Sequence, residues 1–118
     1  MSREGFCRDE RIVKKDDFQQ IFREGKKIRR EPFSIYFIPR GGGHRRLGII
    51  ASRKVGNAVF RNRGKRFFRD IFRKNKEAIP VGDILLILSP SFRDRSYQEL
   101  KDSFFEALDS FHHLQPGK

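Results

Sequence analysis

Cysteine occurs once in the 118 residues, at Cys7, and tryptophan does not occur. A single thiol excludes an internal disulfide and points to a reducing compartment, so a cytoplasmic location is expected. No apolar run approaches the roughly 18 residues of a membrane span, so no membrane partner is expected. The opening stretch MSREGFCRDER has no apolar segment of the kind a signal peptide needs. The histidines are His44, in a glycine-rich turn, and the His112–His113 pair near the end. None stands at metal-ligand spacing from Cys7 or from another histidine. There is no Ser-His-Asp or Cys-His signature and no phosphate-binding glycine loop. The acids do not gather as in a two-metal nuclease, and Asp83, which opens a strand, reads as local structure. The residues thus give the polypeptide no evident catalytic centre and no metal site.

Acid is scarce in one place above all. The net charge is +12, from 27 basic and 15 acidic side chains. Residues 1–52 carry 13 basic and 7 acidic groups, residues 77–118 carry 4 and 7, and residues 53–76 carry 10 against the single acid Asp70. A basic block beside a mildly acidic segment marks one face for a polyanion. The 13 phenylalanines supply the core of what reads as one domain, 1–118, with 1–10 and 115–118 as loose ends.

Periodicity gives the order of elements. KKDDFQQIFREGKK reads as a short helix with Asp16 as cap, Gln19 completing a capping box, and Gly25 as stop. Phe18, Ile21 and Phe22 share its apolar side. KKIRR at 26–30 can add an edge strand. PFSIYFIPR alternates, with Phe33, Ile35 and Phe37 on one face and Ser34, Tyr36 and Ile38 on the other. RRLGIIASRKV reads as a further strand, antiparallel to the previous one through the glycine turn at 41–44. A helix from about Ala58 to Asn75 follows, with Asn57 as cap. DILLILS is nearly all apolar, as in a strand covered on both faces. SYQELKDSFFEALDSFHHL closes the chain as a helix, with Ser96 and Glu99 as a capping box and Leu100, Phe104, Leu108 and Phe111 as its stripe. The expected fold is an α+β sandwich in αβββαβα order, with helices packed on a small, mostly antiparallel sheet.

On a wheel of about 100° per residue, Phe60, Gly64, Phe67, Phe68 and Ile71 fall on one side of the basic helix. Arg61, Asn62, Lys65, Arg66, Arg69 and Arg73 fall on the other, and Arg63 and Lys74 flank the stripe. A solvated helix face mixes signs for i, i+4 support, and this one does not. Five arginines, with planar forks suited to phosphate oxygens, favour RNA or DNA. A membrane-surface helix would turn outward the apolar side that the core needs here.

SRKVGNAVFRNRGKRFFRDIFR, residues 52–73, resembles the signature of the bacterial ribonuclease P protein component, K-x-G-x-A-V-x-R-N-R-x-K-R-x-x-R, from Lys54 through Arg69. The likeness extends over roughly residues 10–112. Gly64 departs from it, since the family usually has an aliphatic residue there; on the inward side it can let the helix approach the sheet closely or permit a kink. The resemblance implies a subunit of an endoribonuclease that matures the 5′ end of tRNA, with the chemistry carried by its RNA. It implies two partners, ribonuclease P RNA and precursor tRNA, and Mg²⁺ held mainly by RNA. It assigns catalytic-RNA contacts to Arg53, Lys54, Asn57, Arg61, Asn62, Arg63, Lys65, Arg66 and Arg69, and the outward position of Arg73 adds it to that face. For Asn57, capping the helix is at least as good a reading as touching RNA. The resemblance also implies a cleft for the single-stranded 5′ leader at Phe18, Phe22 and Tyr36, with Ser34 beside them; the residues alone do not separate cleft from core, whereas Phe33 reads as core. It further implies a left-handed βαβ crossover, as in the second domain of a small-subunit ribosomal protein, against the usual hand. A ribosomal-type structural RNA-binding protein fits the same charge and size, and a DNA-binding module would need a helix-turn-helix pair.

Overall fold

The position of one strand decides the architecture. In the computed structural model, which describes residues 11, 12, 14–30, 32–40 and 45–111, the run GDILLIL forms β4 (Gly82–Leu88). Its residues from Gly82 to Leu86 are all buried, as are Leu88 and even Asp83. Such a strand needs cover on both faces and neighbours on both edges. It lies inside a four-stranded sheet flanked by β2 (Phe33–Pro39) and β3 (Arg45–Ile50), with β1 (Lys26–Arg30) outside β2. The helices are α1 (Lys15–Glu24), α2 (Ala58–Lys74) and α3 (Tyr97–Asp109), giving the expected αβββαβα order. The expected loose ends, the glycine turn with His44, and the His112–His113 pair lie outside the described residues.

The pairing differs from the expectation at one point. β2 and β3 do not form a hairpin, because β4 comes between them, antiparallel to β2 and parallel to β3. The apolar β4 gains more from the centre than β3, whose Arg45 and Arg46 suit an edge. β3 also ends at Ile50, and the chain turns through a 3-10 turn at Arg53–Val55 into Gly56. The free edge of β3 receives a parallel bridge from Arg11 to Leu47, and the Ile12 amide donates to the Leu47 carbonyl at 3.0 Å. Because β3 and β4 are parallel neighbours, α2 is the crossover between them.

Each face of the sheet has its own core. Phe33, Ile35 and Phe37 of β2 and Ile84, Leu86 and Leu88 of β4 meet Phe68, Ile71 and Phe72 of α2 and Leu100, Phe104 and Leu108 of α3. Phe68 sits between Phe33 and Phe104 in edge-on contacts of 5.5 and 5.6 Å. On the opposite face, Ile21 of α1 packs with Ile12, Ile38 and Leu85, and Phe18, Tyr36 and Ile50 border them. Of the three apolar residues of α1, the helix buries only Ile21 fully, and Phe22 stays 44% exposed.

The ends of the helices follow hydrogen-bond chemistry, with one correction. α1 starts two residues earlier than expected, with Lys14 at the cap position and no side-chain cap. Asp16 is therefore no cap and forms no capping box with Gln19. It and Asp17 lie in the first turn, where the helix dipole favours negative charge. Asn57 does cap α2, accepting the Phe60 amide at 3.2 Å. Ser96 and Glu99 form the expected reciprocal box at the start of α3.

Gly64 is buried where α2 crosses the sheet. A Cβ there would lie 2.5 Å from Leu88 Cδ1 and 3.0 Å from Phe92 Cζ. The helix runs on through it from Ala58 to Lys74. Alanine at position 64 gains about 1 kcal/mol of helix propensity but must overpack against two buried side chains, at about 1–3 kcal/mol. Gly64→Ala is therefore expected to lose up to about 2 kcal/mol in urea unfolding, and pairing it with Leu88→Val should recover part of that loss. A gain in stability from Gly64→Ala alone would show that α2 is free to lift off β4.

Candidate nucleic-acid interface

With Gly64, Phe68, Ile71 and Phe72 buried against the sheet, the opposite side of α2 is forced outward. Asn62, Arg63 and Arg66 are exposed, as are Arg53, Lys54 and Asn57 just before the helix. Arg61, Lys65, Arg69 and Arg73 are half-buried, so they form walls rather than a free crest. Asn62, Lys65, Arg66, Arg69 and Arg73 line a groove of about 530 Å³ with Arg11 and Asp70. Arg11 arrives there through its bridge to β3, and nothing in the local sequence around it signals that position.

The groove is short of negative charge. Burial, and then the nearby Arg11, lower the proton affinity of Arg69. A guanidinium so placed is stabilised by an anion between it and its neighbour. Arg61 Nε is buried with no hydrogen-bond partner among the described residues. Asp70 is the acid in this surface, and it is already engaged. It accepts from the Tyr97 hydroxyl at 2.7 Å, from Arg73, and from Lys74 at 3.2 Å. The Tyr97 bond, more than any other contact, holds Asp70 below the usual carboxylate range. Burial, with Asp70 second, pushes Tyr97 up to about 12. Arg73 is thus partly neutralised, and the unopposed charge lies toward Arg61, Lys65, Arg66 and Arg69.

A second surface lies on the α1 side of the sheet. Phe22 meets Tyr36 edge-on at 5.1 Å, and Lys27 Nζ lies 5.6 Å from the Tyr36 ring centre. Phe18 is half-buried beside Ile12, Ile21, Ile38 and Leu85. The strand register sets Arg29, Ser34, Ile87 and Ile50 in one row across this face. Ser34, Ile50 and Ile87 are half-buried, and Arg29 is exposed. Phe18, Phe22, Ser34 and Tyr36 therefore share one face, whereas Phe33 points into the other core and is fully buried. Ile87, Lys27 and Arg29 were missed from sequence because their place depends on which strands pair.

A buried charge network fixes α1 over this surface. Asp83 accepts from Arg46 Nε and Nη2, both at 2.8 Å, and from Arg40 Nε at 3.1 Å. Arg46 continues to Asp17 at 3.4 Å and Arg40 to Gln20 Oε1 at 2.7 Å, both on α1. The hydrogen bonds from Arg46 to Asp83 raise the proton affinity of Arg46 despite its burial. Asp83 and Asp70 both have their oxygens occupied by protein donors, so neither offers a cation a ready site. No three His, Cys, Asp or Glu side chains gather among the described residues, and no helix among them is long and apolar enough to cross a membrane.

The sequence and the fold recur in known proteins. The model of the ribonuclease P family matches residues 6–112. The ribonuclease P protein component of Thermotoga maritima is 40% identical over 110 residues, covering 89% of this chain and 94% of that protein. That of Staphylococcus haemolyticus is 40% identical over 98 residues, covering 83% and 86%. Among solved structures, the RNase P protein from T. maritima superposes with a TM-score of 0.77 at 36% identity, over 84% of this chain and 94% of that one. The RNase P protein of Staphylococcus aureus gives 0.77 at 34% identity, over 86% and 94%. A match spanning nearly the whole chain, in sequence and in fold, makes this chain a member of the ribonuclease P protein family.

Proposed function

We propose that the chain is the protein subunit of ribonuclease P and acts in tRNA 5′ maturation by holding two RNAs on opposite faces of its sheet. The groove beside α2 docks on phosphates of the catalytic RNA. The α1-side cleft stacks the single-stranded 5′ leader of precursor tRNA on Phe18, Phe22 and Tyr36, with Ser34 as a polar contact. The observation that carries this reading is the separation of the two surfaces. Lys65, Arg66 and Arg69 line one, and a half-exposed aromatic pair with a lysine at its edge lines the other. Stacking tolerates any base, which suits leaders of differing sequence. Mg²⁺ is held mainly by the RNA in this reading, since Asp17, Asp70 and Asp83, the buried or half-buried carboxylates among the described residues, are engaged by the protein's own donors. The protein's contribution is to neutralise phosphate and to position the substrate.

The chain freed of RNA and nuclease is expected to leave precursor tRNA intact. Together with a bacterial ribonuclease P RNA and Mg²⁺ it should release the 5′ leader, followed by gel analysis of end-labelled substrate. Robust cleavage by the protein alone would overturn the assignment. Arg66→Glu should weaken binding to the catalytic RNA and lower the slope of log affinity against log salt by about 0.7–0.9 per lost phosphate contact; an unchanged slope would mean that this face is merely solvated. Phe22→Ala should weaken precursor tRNA binding by about 1–3 kcal/mol and leave mature tRNA almost unaffected. Its stability loss should fall below the about 3–5 kcal/mol of a fully buried phenylalanine, since Phe22 is 44% exposed. Equal weakening for both tRNAs with a collapsed melting temperature would make Phe22 ordinary core.

A further inference from the structure

On the flank of α2 turned away from the Arg11 groove, two arginines lie over aromatic rings. The guanidinium carbon of Arg63 is 5.3 Å from the Phe67 ring centre, and that of Arg93, from the Pro90–Asp94 turn, is 4.9 Å from the Phe60 ring centre. Arg95 lines the same small hollow. Phe67 is braced edge-on by Tyr97 at 5.5 Å. Gly56 makes room for the arrangement. Its φ of 146° suits glycine alone, and a Cβ there would come within 3.1 Å of Arg93 Nη1 and 3.2 Å of Phe60. The glycine of the K-x-G motif thereby seats an arginine that lies 37 positions further along the chain.

Arg63 and Arg93 are exposed, and neither forms an ion pair among the described residues. A guanidinium resting over an aromatic ring spends none of its N–H donors on that contact, and those donors match two phosphate oxygens. The contact with the ring already restrains the side chain, so less ordering remains to be done on binding. Val59, 72% exposed, stands one turn from Arg63 on the crest between this flank and the groove. We propose that Arg63, Arg93 and Arg95 form a second phosphate-binding row, so that a folded RNA straddles the N-terminal half of α2 with backbone on both flanks. The proposal rests on the chain's binding ribonuclease P RNA and deepens that reading. Two rows separated by the width of a helix, about 10–12 Å with its side chains, call for two backbone segments of a structured RNA rather than one extended strand.

The test compares the full chain with Arg93→Gln, Arg93→Lys and the groove control Arg69→Gln, each titrated with ribonuclease P RNA across a salt series. Arg93→Gln should bind about tenfold more weakly and lower the salt slope by about 0.7–0.9. Arg93→Lys should restore the slope without restoring the full affinity, because lysine keeps the charge but loses the planar fork. Hydroxyl-radical footprints should lose different backbone segments with Arg93→Gln and with Arg69→Gln. If Arg69→Gln weakens binding while Arg93→Gln, folded by its melting curve, changes neither affinity, slope nor footprint, the second row does not exist and the RNA-binding reading stands. If the unaltered chain fails to bind this RNA, both fall.

Discussion

The double-sided burial of β4 is the constraint on which the other features depend. A strand of Gly-Asp-Ile-Leu-Leu-Ile-Leu must be covered above, below and at both edges. That requirement drives β2 and β3 apart and makes β3 parallel to it. A parallel pair cannot be joined by a hairpin, so α2 has to cross the sheet. Crossing the sheet is what gives α2 a buried side and an outward one. It also brings the edge of β3, with Arg11 bridged to it, alongside the cationic wall of the helix. One apolar heptapeptide thus positions a surface that shares none of its residues.

The charge on α2 is tolerated because its other side is anchored. Like charges at i, i+3 and i, i+4 spacing destabilise an isolated helix by about 0.2–0.5 kcal/mol each. Burying Phe68, Ile71 and Phe72 contributes about 1.5–3 kcal/mol apiece on the transfer scale, which outweighs that repulsion several-fold. Gly64 lets this burial happen at close range, at the expense of helix propensity. Asp70 relieves repulsion only at the C-terminal end, where it meets Arg73, Lys74 and Tyr97. The remaining repulsion stays with Arg61, Lys65, Arg66 and Arg69, where a polyanion lowers it. The strongest charge network elsewhere, around Asp83, is neutralised within the protein and serves to hold α1 in place.

Local chemistry made much of this legible in the sequence. The order of elements, the Asn57 cap, the Ser96–Glu99 box, the inward Gly64 and the alternation of Phe33 to Ile38 each depend on residues within a few positions of one another. What escaped depends on distant pairing. The register that sets Ile87 beside Ser34, the arrival of Arg11 at the groove, and the insertion of β4 between β2 and β3 are decided by which strands compete for the centre. The expected Asp16 cap failed for a different reason. Two acids at the start of a helix serve the dipole from several positions, and Asp17 had a partner in Arg46 that local spacing could not reveal. Phe22 looked the same as Phe18 and Ile21 on a wheel, yet Ile21 is buried against Ile12, Ile38 and Leu85 while Phe22 meets Tyr36 and stays 44% exposed.

The Asp70–Tyr97 pair has a consequence for how the surface responds to its surroundings. Asp70, with its lowered proton affinity, stabilises the fold above the ordinary carboxylate range, and that contribution fades only as pH falls through its depressed value. Tyr97, raised to about 12, favours the fold while protonated, and its contribution is lost as pH climbs from the ordinary tyrosine value of about 10 through its own. Between these limits neither member of the pair changes its charge, and no histidine stands among the described residues of the α2 surface. The Asp70–Tyr97 contact therefore holds through the neutral range. The cations that the pair braces attract a polyanion with a strength set by the ionic atmosphere.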